Sequence, residues 1–255
     1  MKDLRLQYSY YGWRARIGLL LPAINVVMEP ELNLMAPQGV SIHSARLASF
    51  GPSSNESYAA MGASVKEGSS LLKMTDPSVM VFGCTSGSFI EDQKEIIKTM
   101  EEESGAPAIT TSGAVLEALR FLKVSSLVVA TPYVEFVNEA EKSWLAAEGF
   151  QVKELKGLEL GKDEYERKLM GRQPAQIAYT LAFQLAQRKP DCVFISCTNF
   201  ASAPLIETLE ADLGIPVVTS NQATLWAALK KAGLKTPIEG YGTLMRKQDS
   251  FHPIL

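Results

Sequence analysis

Val81–Thr85 reads VFGCT, and Phe194–Thr198 reads FISCT. Each is a short apolar run that ends on Cys-Thr, and the two cysteines stand 113 positions apart (197 − 84). Two further pairs flank them in the same order. Leu19–Pro22 (LLLP) resembles Val129–Pro132 (VATP), with the prolines 110 apart (132 − 22). Pro107–Leu116 (PAITTSGAVL) resembles Pro216–Leu225 (PVVTSNQATL), at a spacing of 109 (216 − 107). Three marks in one order at nearly one spacing imply a duplicated unit.

Working outward from these marks, short apolar runs recur at Arg16–Pro22, Val40–Leu47, Ser78–Cys84, Ala106–Thr110, Ser126–Thr131, Cys192–Cys197 and Ile215–Thr219. Runs of this length without polar alternation suit strands covered on both faces. Amphipathic stretches lie between them, clearest at Glu56–Met74, Glu91–Glu103, Gly113–Leu122, Val134–Glu148, Ala175–Gln187 and Gln222–Ala232. Alternation of this kind predicts an α/β fold with mainly parallel sheets flanked by helices. The repeat divides it into two pseudo-symmetric Rossmann-like halves, 15–124 and 125–235, with the C-terminal segment 236–255 free to pack back on the first half.

Ligands in open α/β sheets bind beyond the carboxyl ends of the strands. Cys84 and Cys197 sit at those ends, so two halves facing each other would aim both thiols into one cleft. The loop after Cys84 offers the hydroxyls of Thr85, Ser86 and Ser88, and Gly87 allows close backbone approach. The amides opening the next helix suit an anion such as a carboxylate, and the same field is expected to depress the Cys84 thiol pKa. Cys197 is followed by Thr198 and Asn199. Asn25 follows the first strand and Tyr133 the fifth, in corresponding places. Locally Asn25 also reads as a helix cap and Tyr133 as a packed aromatic; their symmetric placement beside the cysteines favours a shared site. Cys192, at the start of its strand, reads as structural.

Other features are plainer. Glu29 and Glu31 suit the first turn of a helix. Ser49–Tyr58 (SFGPSSNESY) reads equally as a cover over the cleft or as a surface loop. The aromatic arm Met1–Trp13 suits packing on a neighbour or subunit, and Asp249 has no evident partner.

Composition excludes several classes. The chain has 255 residues, 25 Lys+Arg and 28 Asp+Glu, for a net charge of −3. Its basic residues form no cluster of the kind that neutralises phosphates, so nucleic acid is not an expected partner. There is no secretory signal and no apolar run of about 20 residues. The expected location is therefore the cytoplasm, with no membrane partner and the three cysteines kept reduced. No metal-ligand spacing involves the cysteines with His43 or His252, and no phosphate-binding glycine motif follows a strand. Neither a metal nor a nucleotide cofactor is expected. A homo-oligomer is a weaker expectation.

The stretches 16–32 (RIGLLLPAINVVMEPEL), 81–89 (VFGCTSGSF), 111–119 (TSGAVLEAL), 129–139 (VATPYVEFVNE), 193–200 (VFISCTNF) and 214–230 (GIPVVTSNQATLWAALK) together resemble the aspartate/glutamate racemase superfamily. The likeness is greatest to its maleate cis-trans isomerase and arylmalonate decarboxylase branch, and it spans nearly the whole chain. It implies catalytic Cys84 and Cys197, with Asn25, Thr85, Ser86, Tyr133, Thr198 and Asn199 around a small carboxylate. The decarboxylases of the branch have Gly in place of the first cysteine, followed by Thr-Ser. This chain combines Cys84 with Thr85-Ser86, whereas the isomerases carry more apolar residues there. The resemblance implies cofactor-independent cis-trans isomerisation of maleate or a related small enedioate: Cys84 adds as thiolate, the bond rotates, and Cys84 leaves, with Cys197 as second acid/base. The alternatives are a two-cysteine amino-acid or hydantoin-type racemase, an arylmalonate-type decarboxylase, and a binder that closes two lobes on a carboxylate without turnover.

Overall fold

The computed structural model describes residues 10–247. In the first half the order is β1 (Ala15–Pro22), α1 (Met28–Met35), β2 (Val40–Leu47), α2 (Asn55–Ala63), α3 (Val65–Lys73), β3 (Val79–Phe82), α4 (Thr85–Ile90), α5 (Gln93–Ser104), β4 (Ala108–Thr110) and α6 (Thr111–Phe121). The second half has β5 (Ser126–Tyr133), α7 (Glu135–Ala147), β6 (Gln151–Leu160), α8 (Glu164–Met170), α9 (Ala175–Ala186), β7 (Cys192–Ile195), a 3-10 turn at Ala203–Leu205, α10 (Ile206–Leu213), β8 (Val217–Thr219), α11 (Ser220–Lys231) and α12 (Gly242–Arg246).

Two four-stranded sheets result, ordered β2-β1-β3-β4 and β6-β5-β7-β8, with every pair parallel. Each strand of one sheet has its counterpart in the other, so the fold is the duplicated α/β architecture that the spacing implies. The central strands are apolar because helices cover both faces; Leu19, Leu20, Val81, Phe82, Val129 and Phe194 are fully buried.

The halves meet through equivalent parts. Helix α6 packs on α11, where Thr224 Oγ1 lies 3.2 Å from Thr111 Oγ1 and the Phe121 and Trp226 rings are 5.2 Å apart. Phe89 of α4 stacks on Trp144 of α7, also at 5.2 Å.

One expectation about the segments needs revision. The stretch from Glu56 to Met74 is two helices, α2 and α3, parted at Ser64. The Ser64 hydroxyl bonds the Met61 carbonyl and accepts from the Ala48 amide, which favours a turn over a continuous helix. Glu29 and Glu31 do stand in the first turn of α1, and Glu31 is buried. It accepts from the amides of Ser202 (2.7 Å) and Ala203 (2.9 Å) and from Asn221 Nδ2 (2.7 Å), all in the other half. Burial pushes its carboxyl up, while these hydrogen bonds pull it down.

Of the C-terminal segment, the described part packs through α12 on α10, α11 and β8. It touches the first half where Arg14 donates to Thr236 (2.6 Å) and Tyr241 to the Leu34 carbonyl (3.1 Å). Residues 1–9 and 248–255, which include much of the aromatic arm, Asp249 and His252, lie outside the described residues. Among the described residues no helix is long and apolar enough to cross a membrane.

Candidate active site

Cys84 stands two residues past the end of β3, and Cys197 two residues past the end of β7. The strands therefore deliver both thiols, one from each half, to the lining of a single cleft of about 410 Å³. The cleft is lined by Asn25, Tyr58, Cys84, Ser86, Tyr133, Arg167, Cys197, Thr198 and Asn199, with Pro22, Ile24, Ser53 and Met170 closing its sides.

Cys84 caps α4. Its sulfur accepts from the Gly87 amide at 3.3 Å and lies 3.7 Å from Ser86 Oγ. Gly87 sits close to its neighbours: a Cβ there would meet the Met61 methyl at 2.4 Å, forcing that side chain to move, and would crowd Cys84 Sγ at 3.2 Å. The turn after Cys197 differs. Cys197 itself has φ +93°, a left-handed backbone unusual outside glycine. Its amide donates to Ser220 Oγ (3.1 Å) and its sulfur accepts from the Asn199 amide (3.3 Å).

Both thiols titrate above the ordinary range. Burial raises the Cys84 pKa, opposed by the Gly87 and Ser86 hydrogen bonds and by the Arg167 charge. The expected depression is thus not the net outcome, because desolvation of the thiolate outweighs one amide and one hydroxyl. Cys197 is pushed up to about 12 by burial, opposed by hydrogen bonds from Tyr133 and Asn199. It is protonated at neutral pH.

The other anticipated residues are placed as follows. Asn25 Oδ1 caps α1 by accepting from the Val27 and Met28 amides, and its Nδ2 donates to Thr198 Oγ1 at 2.9 Å. It is a helix cap and part of the cleft wall at once. Thr198 in turn donates to the Gly83 carbonyl (3.0 Å), tying the two cysteine loops together. Asn199 Oδ1 accepts from the Val26 amide at 3.0 Å. Tyr133 is buried beside Cys197, and burial holds its hydroxyl pKa well up. Ser86 faces the cleft. Thr85 does not line it; its hydroxyl is directed instead to Ser220 Oγ at 2.9 Å. His43 lies on β2 against Ser41, away from the cleft lining. Cys192 is fully buried in β7.

Three polar lining residues are not singled out in the sequence. Ser53 and Tyr58 come from the polar stretch 49–58, which does cover one side of the cleft. Arg167 comes from α8, whose text (EYERKLM) looks like an ordinary solvated charged helix. Its partners are carbonyls and a hydroxyl more than a hundred positions away, so no local signal marks it. Among the described residues, no group of three or more His, Cys, Asp or Glu side chains is arranged to hold a metal.

Duplicated parallel sheets with a thiol from each half facing one cleft define an α/β enzyme of the two-cysteine kind. A sequence profile of the arylmalonate decarboxylase family matches residues 17–245, and the chain belongs to that family. Among its relatives, the maleate isomerase of Nocardia farcinica is 30% identical over 92% of this chain and 96% of its own length. The arylmalonate decarboxylase of Bordetella bronchiseptica is 28% identical over 88% and 96%. A solved structure of the Nocardia farcinica isomerase, a cysteine-to-serine mutant holding a covalent succinylcysteine intermediate, superposes with a TM-score of 0.84 at 26% identity, covering 92% of this chain and 99% of that one.

Proposed function

We propose that this protein is a cis-trans isomerase of maleate or a closely related small enedioate, with Cys84 as nucleophile and Cys197 as acid/base. The observation that carries the reading is a thiol from each half lining one cleft in unlike environments. Cys84 has an amide donor, a hydroxyl and the Arg167 guanidinium to favour its thiolate; Cys197 is held protonated by burial.

In this scheme the Cys84 sulfur bonds to one olefinic carbon, and the π-electron pair moves to the neighbouring carbon and into its carboxylate as an enediolate. Donors aimed at that carboxylate lower the barrier; Ser86, Tyr133 and the backbone amides of the Cys84 turn serve here. Cys197, from the other half, passes its proton to the carbanionic carbon. The former double bond is then single and turns. Return of the proton to Cys197 and departure of Cys84 release the trans product with no net gain or loss of atoms. The thiol supplies the covalent step, so the reaction needs no cofactor. The covalent cysteine adduct of the Nocardia farcinica isomerase supports this sequence of steps. The decarboxylase alternative is weaker, since it assigns no role to Cys84.

The two units acting on the substrate are taken as 15–124 and 125–235, and the setting as cytoplasmic, in keeping with three unpaired cysteines. The test is proton NMR of maleate with the purified protein. Fumarate should accumulate with the wild type, fall to background in Cys84→Ser, and form roughly 10²- to 10⁴-fold more slowly in Cys197→Ser. Unchanged maleate, with exchange of an α-proton in an amino acid or hydantoin instead, would move the enzyme to two-base racemisation.

A further inference from the structure

Arg167 is a cation built into the cleft with no direct ion pair among the described residues; Glu164 feels its charge only at longer range. It is 6% exposed and lines the cavity. Its Nη1 donates to the carbonyls of Phe50 (3.2 Å), Gly51 (2.9 Å) and Pro52 (3.2 Å), and its Nη2 to Ser49 Oγ. Every one of these acceptors is neutral. The two nearby carboxylates on the same helix are engaged elsewhere: Glu166 accepts the Gly161 and Lys162 amides at 3.2 and 2.9 Å, and Glu164 pairs with Lys168 at 2.5 Å and accepts the Gly51 amide at 3.2 Å.

A guanidinium stays charged in proteins, and burying it beside neutral groups alone is costly. It has five N–H groups in a planar fork, and the contacts above leave Nε–H and one Nη2–H without an acceptor among the described residues. Arg167 lines the same cavity as Cys84. A carboxylate fits such a fork in a bidentate fashion and supplies the absent charge.

We propose that Arg167 is the specificity-determining residue of the cleft: it receives the second, non-reacting carboxylate of a dicarboxylate substrate beneath the segment 49–53. The assignment rests on the isomerase reading and adds to it that the substrate must be a dianion. The first carboxylate lies by the Cys84–Gly87 turn, where the negative charge develops. The second lies at Arg167, which therefore selects against the half-amide or half-ester of the same acid. Because the same guanidinium grips Ser49, Phe50, Gly51 and Pro52, seating a dianion also fixes the cover of the cleft.

Succinate separates this claim from turnover, since it has both carboxylates and no double bond. Calorimetric binding of succinate and of succinamic acid would be measured for the wild type, Arg167→Gln, Arg167→Lys and Ser49→Ala, with maleate isomerisation followed in parallel. The wild type should prefer succinate. Arg167→Gln should lose about 10- to 100-fold in succinate affinity, the range for a hydrogen-bonded charge, with succinamic acid changed by only about twofold. Arg167→Lys should recover part of the loss, and Ser49→Ala should keep the preference. An Arg167→Gln protein that weakens both ligands equally, or that keeps the preference, would reduce Arg167 to a brace for the cover segment. A wild type that binds the two alike would overturn the proposal even if Arg167→Gln failed to fold. Arg167-dependent succinate binding without maleate turnover would instead sink the isomerase reading and leave the dicarboxylate subsite standing.

Discussion

Cys197 holds its sulfur in place through a backbone that L-residues rarely adopt. A φ of +93° costs on the order of 1–3 kcal/mol and persists only where the surroundings enforce it. Here Ser220 holds its amide and Asn199 its sulfur, while Ser196, one residue earlier, donates to Glu141. Glu141 is fully buried, its second oxygen has no partner, and its pKa is pushed up to about 8 by burial. In the unfolded chain the group returns to about 4.5. The folded state therefore holds this proton more tightly. Near pH 4 and below, the carboxyl is neutral in both states and costs nothing extra. As pH rises from about 4.5 to 8 the unfolded chain releases this proton while the folded protein keeps it, so stability falls across that window by the order of a few kcal/mol and levels off above it. Glu141→Gln should flatten the fall in thermal stability between pH 5 and pH 9. Glu31 is shifted in the same direction and leaves some slope behind. Unfolding midpoints across that range check this, and parallel profiles for the two proteins would refute it.

At the scale of elements, legibility followed burial. The central strands were readable because both faces are covered and their text is apolar throughout. Strand β6 was not, since it is an edge strand whose residues alternate between apolar and charged (QVKELKGLEL), as suits an exposed edge. Helix α8 was hidden for the same reason: four of its seven residues are charged, and only its fold position turns Arg167 inward. The site was legible as far as the strand ends point. Cys84, Cys197, Asn25 and Tyr133 follow strands, so the repeat located them; Arg167 and Tyr58 reach the cleft by tertiary contacts alone. Gly161 shows how the cover is joined to the second half. Its φ is +121°, its carbonyl accepts the Ser53 amide at 2.9 Å, and an added Cβ would meet Ser53 Oγ at 2.7 Å. Gly161→Ala should cost about 1–3 kcal/mol and raise KM more than it lowers kcat, because it displaces the cover rather than the thiols. Unfolding curves and steady-state kinetics would test this; an unchanged KM would show that the 49–53 segment takes no part in binding.

For the whole molecule, the candidate site is also the seam between halves. Asn25 to Thr198, Val26 to Asn199, Thr85 to Ser220 and Glu31 to Ser202, Ala203 and Asn221 all cross it. These contacts join residues 135 to 190 positions apart, which is why the duplicated halves were visible in the sequence and their mutual fastening was not. Glu31 is the most connected of these groups. Glu31→Ala would leave two amides and the Asn221 donor buried without an acceptor, at about 1–3 kcal/mol for each group left unsatisfied. The variant should unfold at a clearly lower denaturant concentration and lose activity through misplacement of the Cys197 turn. A variant with wild-type midpoint and kcat would show that the seam does not depend on this carboxylate.

The central claim is that Cys84 forms a covalent bond to substrate while Cys197 handles the proton, and peptide mass spectrometry reads it directly. Cys197→Ser protein incubated with maleate should gain the mass of one maleic acid on the peptide that contains Cys84, and the Cys84→Ser protein should gain none. An adduct on another cysteine, or fumarate production by Cys84→Ser at the wild-type rate, would contradict the account.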